Sequence, residues 1–109
     1  MSTKQSTVDY MVDQLSSLRD IRTRKMFGEY ALYYKNRVIG LICDDTLFIK
    51  ITAEGKEFLG KKYKEGYAYP GAKASMKISE DQIDDREWLS ELLTITDRYL
   101  PTPKIKKKK

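Results

Sequence analysis

The 109-residue sequence predicts a two-layer α+β fold, a single antiparallel sheet with N- and C-terminal helices packed on one face. Apolar residues recur at helical spacing near both ends of the chain, around Val8 and around Trp88. Between Thr23 and Ile51, β-rich runs follow one another through links too short for parallel crossovers, so these strands must be antiparallel. A content of 40% hydrophobic and 34% charged residues suits one core under a charged surface, at a length too short for two cores.

Val8, Met11, Val12, Leu15 and Leu18 share one helical face, which predicts a first helix over Thr7–Leu18 with Ser6 as its N-cap and Asp9 favouring its start. Arg19–Arg22 reads as a polar link and Arg24–Phe27 as a short strand bent at Gly28. Strands Tyr30–Tyr34 and Val38–Cys43 flank a hairpin loop at Lys35–Arg37. The continuous apolar run of the second marks it as central. Asp44–Asp45 is the next turn, and Thr46–Ile51 the next strand, with Leu47, Ile49 and Ile51 on one side. Thr52–Leu59 is expected as a short helix stopped by Gly60, despite the cost of about 1 kcal/mol at Gly55. Lys61–Lys73 reads as a loop turning at Pro70–Gly71, and Ala74–Ile78 as the last strand. Asp84 with Glu87 resembles a capping box, with Ile83 stapled on Trp88. Trp88, Leu89, Leu92, Leu93, Thr96 and Tyr99 then form the apolar face of a final helix.

The net charge of +5 lies in the tail. Lys104, Lys106, Lys107, Lys108 and Lys109 account for five of the 21 basic residues, leaving sixteen against sixteen acidic residues over Met1–Pro103. The chain therefore divides into a folded domain, residues 1–103, and a basic tail, 104–109, expected to be disordered. A neutral body weakens a nucleic-acid reading, because backbone phosphates demand a surplus of cations on one face. The single Cys43 forms no intrachain disulfide, and there is no histidine, so neither Cys/His zinc sites nor histidine bases are available. No apolar run approaches a membrane span and the N-terminus lacks an export signal, so a cytoplasmic location is expected.

Little else points to chemistry. Asp44–Asp45 is expected as a turn, since adjacent strand residues point apart. Cys43 ends an apolar strand without a histidine to activate it, and is expected as a buried structural thiol. No glycine-rich phosphate loop precedes a helix. The expectation is of a protein that is not an enzyme and carries no metal and no cofactor. Two basic patches remain: Arg19, Arg22, Arg24 and Lys25, and Lys61, Lys62 and Lys64 interleaved with Tyr63, Tyr67 and Tyr69. Both have acids nearby, so a solvated surface is the competing reading. A strand arginine such as Arg24 needs a partner, and Glu29 and Asp45 are the candidates. A small-ligand site lined by Tyr30, Tyr33, Tyr67 and Tyr69 is a further, lower-ranked alternative.

The run Arg24-Lys25-Met26-Phe27-Gly28-Glu29-Tyr30-Ala31-Leu32-Tyr33, then Asp44-Asp45-Thr46-Leu47-Phe48-Ile49-Lys50, then Tyr67-Ala68-Tyr69-Pro70-Gly71, resembles the TfoX/Sxy N-terminal domain family. The likeness extends from about Val8 to Leu100. Its most specific element is Arg24, Met26, Phe27 and Gly28, supported by Tyr69, Pro70 and Gly71. The resemblance implies a bacterial cytoplasmic protein of two-layer α+β fold, without catalytic residues. The best-known members regulate natural competence, promoting transcription of DNA-uptake genes with a cyclic-AMP-responsive activator. They carry a second, helical domain where this chain has lysines, and often a glycine in place of Ala31. The expected role is a non-catalytic regulatory module with a protein partner, either transcription machinery or a second copy in a homodimer. Direct nucleic-acid binding through the basic patches and tail is the alternative.

Overall fold

The computed structural model describes residues 3–26 and 29–101. Its elements in chain order are α1 (Gln5–Gln14), β1 (Ile21–Met26), β2 (Glu29–Tyr34), β3 (Arg37–Cys43), β4 (Thr46–Ile49), α2 (Ala53–Leu59), β5 (Glu65–Tyr67), β6 (Ala74–Ile78), α3 (Glu80–Asp84) and α4 (Arg86–Tyr99). The strands form one antiparallel sheet in the order β1-β2-β3-β4-β6-β5. The first four make the expected meander, with β3 central. The β2–β3 and β3–β4 hairpins each close on two residues with positive φ, Lys35–Asn36 and Asp44–Asp45, the conformation that matches the twist of paired strands.

The helices cover one face. Val8, Met11 and Leu15 from the first helical segment and Leu89, Leu92 and Leu93 from α4 bury against Tyr30, Leu32, Ile42, Leu47, Ile49, Met76 and Ile78 of the sheet. Alternation along the strands places these sheet residues on the same side. Ile39 has no partner opposite it on β2 and forms a bulge there, which lets it join the core. Gly40 is demanded by packing: a Cβ there would stand 2.3 Å from the carbonyl oxygen of Phe48 on β4. Arg37 clamps the end of α4, donating from Nη2 to the Asp97 carboxylate at 3.3 Å and from Nη1 to the Pro101 carbonyl at 3.3 Å.

Several local expectations are corrected. The first helix runs over Gln5–Gln14, and Ser6 lies inside it; Lys4 is the N-cap and offers no side-chain bond. The cap comes from elsewhere in the chain: the Asp45 carboxylate accepts the Lys4 N–H and the Thr7 hydroxyl, both at 2.9 Å. The strand placed at Arg24–Phe27 begins at Ile21, because pairing with Tyr34 extends it into the presumed link. The strand expected to reach Ile51 stops at Ile49, where Thr52 prepares the cap of α2 by accepting the Gly55 N–H. Lys61–Lys73 is not all loop: Gly60–Lys62 make a 3-10 turn, and β5 pairs with β6.

At the C-terminal end, Ser79 and Gln82 form the capping box, opening the unforeseen helix α3. Asp84 belongs to that helix and accepts the Tyr10 hydroxyl, so the cap of α4 falls on Asp85, whose carboxylate takes the Trp88 N–H at 3.1 Å. Trp88 stacks on Phe58 of α2, with ring centroids 5.3 Å apart. Tyr99 is exposed instead of completing the apolar face. Phe27, Gly28 and the tail 104–109 lie outside the described residues.

Candidate interaction surface

The face of the sheet away from the helices is only partly covered, and its residues follow from the same alternation. Met26, Glu29, Ala31, Leu41, Cys43 and Phe48 share this side by register. Ala31 and Phe48 are buried nonetheless. The Phe48 ring extends toward Gly66 of β5, where a Cβ would meet it at 3.0 Å. The connection from β5 to β6 folds over Leu41 and leaves a hollow on either side, since Leu41, Ala68 and Tyr69 border both.

The first hollow, about 670 Å³, is bordered by Met26 of β1, Leu41 and Cys43 of β3, and Ala68, Tyr69 and Pro70 of the connection. Glu29 and Asp44 stand at its acidic rim. Met26 and Tyr69 are 39% and 55% exposed, which makes them apolar surface available to a partner. The second hollow, about 640 Å³, takes in Gly71, whose φ of +88° suits the turn, and Lys50.

Glu29 of this rim, and Asp45 behind it in sequence, are engaged in structural hydrogen bonds. Glu29 accepts the Thr3 hydroxyl and the Asp44 N–H, the latter at 3.1 Å. The Asp45 carboxyl lies below its ordinary value, because the Lys4 N–H and then the Thr7 hydroxyl stabilise the carboxylate. Neither Glu29 nor Asp45 bonds Arg24, so the partner expected for that arginine is not found among the described residues; Arg24 is exposed on the edge strand β1. Cys43 is buried, and desolvation, followed by the charges of Glu29 and Asp44, raises its pKa. A protonated thiol in this position is a packing group rather than a nucleophile. Among the described residues no three His, Cys, Asp or Glu side chains gather as metal ligands.

The basic patches are distributed more widely than their sequence spacing suggests. Arg22 and Arg24 lie on one side of β1 and Lys25 on the other. Arg22 sits 5.4 Å from the centre of the Tyr33 ring and donates to Asn36 Oδ1 at 2.9 Å. Arg19 is exposed before the strand begins. In the second patch, Tyr63 is half-buried against the core, its ring lies under Lys56, and its hydroxyl donates to Glu65 at 2.6 Å. Burial first and this hydrogen bond second push its pKa up to about 12. Tyr67 and Tyr69 are its exposed tyrosines, while Lys61, Lys62 and Lys64 border a different hollow with Lys77. Of the four tyrosines considered as a ligand lining, Tyr30 and Tyr69 border the first hollow, but Tyr33 and Tyr67 do not. Leu41 and Ala68 were not foreseen in this surface, since Leu41 lies within a continuous apolar run that does not tell one face from the other.

Among known proteins, the chain is 37% identical over 109 residues to a Spirochaeta aurantia protein described as an uncharacterized 12.7 kDa protein in the trpE 5' region, covering 100% of this chain and 93% of that protein. The family model described as the TfoX N-terminal domain matches residues 13–96. That span runs from the end of α1 through the whole sheet to the last turns of α4, and includes every element bordering the apolar hollow. By this match the chain belongs to the TfoX N-terminal domain family.

Proposed function

We propose that this protein is a non-catalytic regulatory module that engages a protein partner through the uncovered face of its sheet. One observation carries the reading: Met26, Tyr69 and Pro70, from segments more than forty residues apart, border one apolar hollow on the side the helices leave open. An exposed apolar surface of this kind favours contact with another protein. The neutral body and the buried, protonated thiol support binding over turnover. The partner proposed belongs to the transcription machinery, as the family resemblance implies, or is a second copy of the chain. Direct nucleic-acid binding has less support, because Arg22 and Tyr63 already have partners within the domain.

The test is a photo-crosslinking amino acid placed at Tyr69 in the native host, with Glu91 on the outer side of α4 as the control position. A discrete adduct from position 69, absent from position 91 and lost on Met26→Asp, is the expected result. Identical adducts from both positions, or none from position 69, would overturn the assignment. The mass of the adduct separates self-association from a different partner.

A further inference from the structure

A third hollow, of about 440 Å³, lies at the β5–β6 edge of the sheet where α3 and α4 begin. Lys61, Lys62, Lys64 and Lys77 border it, together with Gln82 and Trp88. The fold creates this convergence: the Lys77 N–H donates to the Lys64 carbonyl at 2.9 Å, which sets two of the lysines side by side, while the 3-10 turn delivers the other two. None of the four is among the ion pairs of the described residues, although Asp81 and Asp85 also border the hollow. The Asp85 carboxylate is engaged by the Trp88 N–H as the helix cap. Four ammonium groups against two carboxylates leave a net positive hollow.

Gln82 adds an independent sign. It is 8% exposed, and its side-chain oxygen accepts the Ser79 N–H at 2.9 Å and the Ser79 hydroxyl at 3.2 Å, which identifies its opposite end as the NH₂. That Nε2 is buried and has no hydrogen-bond partner among the described residues. A buried donor without an acceptor costs free energy, and natural proteins retain few of them. Gln82 borders the same hollow as the four lysines, and an anion with several oxygens is the acceptor that such a set of donors fits.

We infer that this hollow binds a phosphate or short polyphosphate group, held by Lys61, Lys62, Lys64 and Lys77 and oriented by the Gln82 amide. A small organic phosphate and a nucleic-acid backbone both offer this chemistry. The site lies apart from the sheet-face hollow and does not depend on the function proposed for it.

Inorganic pyrophosphate is the probe, titrated at low salt into the full chain and followed by NMR. Saturable shifts at the Gln82 side-chain amide, the Trp88 indole and the Lys64 and Lys77 amides are expected, distinct from any response of the tail. Gln82→Glu keeps the oxygen that Ser79 requires and replaces the free donor by a carboxylate, so it is expected to weaken binding about tenfold or more with the fold intact. The surface pair Lys64→Gln and Lys77→Gln is expected to weaken it to a similar degree, and Lys50→Gln, beside another hollow, to leave it unchanged. Absence of saturable shifts at these residues up to about 10 mM, or equal binding by Gln82→Glu and the parent, would overturn the site. Competition by a single-stranded oligonucleotide at the same residues would identify a backbone as the phosphate source; pyrophosphate binding without competition would identify a small organic phosphate.

Discussion

Replacing Gly40 by alanine is expected to be among the most destabilising single changes on the sheet. The new Cβ would lie 2.3 Å from the Phe48 carbonyl oxygen and 3.0 Å from Ile49 Cδ1. Carbon–oxygen contacts between adjacent strands ordinarily stand at about 3.3 Å or more, so the shortfall is about 1 Å. The methyl end of Ile49 can rotate aside, but a backbone carbonyl in a paired strand cannot. Relief requires β3 and β4 to part around the Gly40–Ile49 and Leu41–Phe48 pairs. Two ladder hydrogen bonds at about 1 kcal/mol each, with the cost of disturbed packing, give about 2–4 kcal/mol. For a domain of this size each kcal/mol lowers Tm by about 4–8 °C, so a fall of about 8–32 °C is expected by thermal circular dichroism. Gly71→Ala is the control: its Cβ would meet nothing within 4 Å, and only the positive φ resists it, at about 1 kcal/mol. If Gly40→Ala melts within about 2 °C of the parent, or no lower than Gly71→Ala, the close approach of the two strands is not what requires glycine there.

Leu92→Ala, at a fully buried position of α4, is expected to cost about 2–5 kcal/mol and to lower the urea midpoint without changing the slope. Asp45→Ala is expected to destabilise at neutral pH through loss of the α1 cap. Because the folded Asp45 carboxyl is depressed below its ordinary 3.8, this contribution is full above that value and fades as pH falls through the folded pKa. Urea midpoints of parent and variant should therefore differ at pH 7 and converge in acid; an equal gap at pH 3 would separate the cap from the ionised carboxylate. Cys43 is expected to react slowly with a disulfide reagent in the native protein, and at an ordinary thiol rate in urea, since desolvation favours its protonated form. Fast native labelling would show a thiolate and reopen a reactive role.

The candidate surface was only partly readable in the chain. Met26, Tyr69 and Pro70 stood out in the sequence by resemblance, and the structure brings them to one hollow, but Leu41 and Ala68 carry no local mark of belonging with them. The Arg19–Lys25 run appears as one patch on paper, yet strand alternation divides it between two sides of β1. Tyr63 appears as a stacking group among lysines, and is instead committed to the core and to Glu65. Spacing along the chain does not encode which face a strand presents until its pairing register is known.

The sequence by itself determined the class of fold, the antiparallel meander, the last strand Ala74–Ile78, the stop at Gly60 and the apolar face of α4 as far as Thr96. Each rests on local physics: side-chain periodicity, positive-φ turns and links too short to cross over. Tertiary structure alone decided that Asp45 caps α1 in place of Ser6, that Ser79 and Asp85 rather than Asp84 open the last two helices, and that Glu65–Tyr67 becomes an edge strand. Helix caps compete among several suitable side chains, and an edge strand exists only through its neighbour. Their outcome depends on partners distant in sequence, which no window of residues contains.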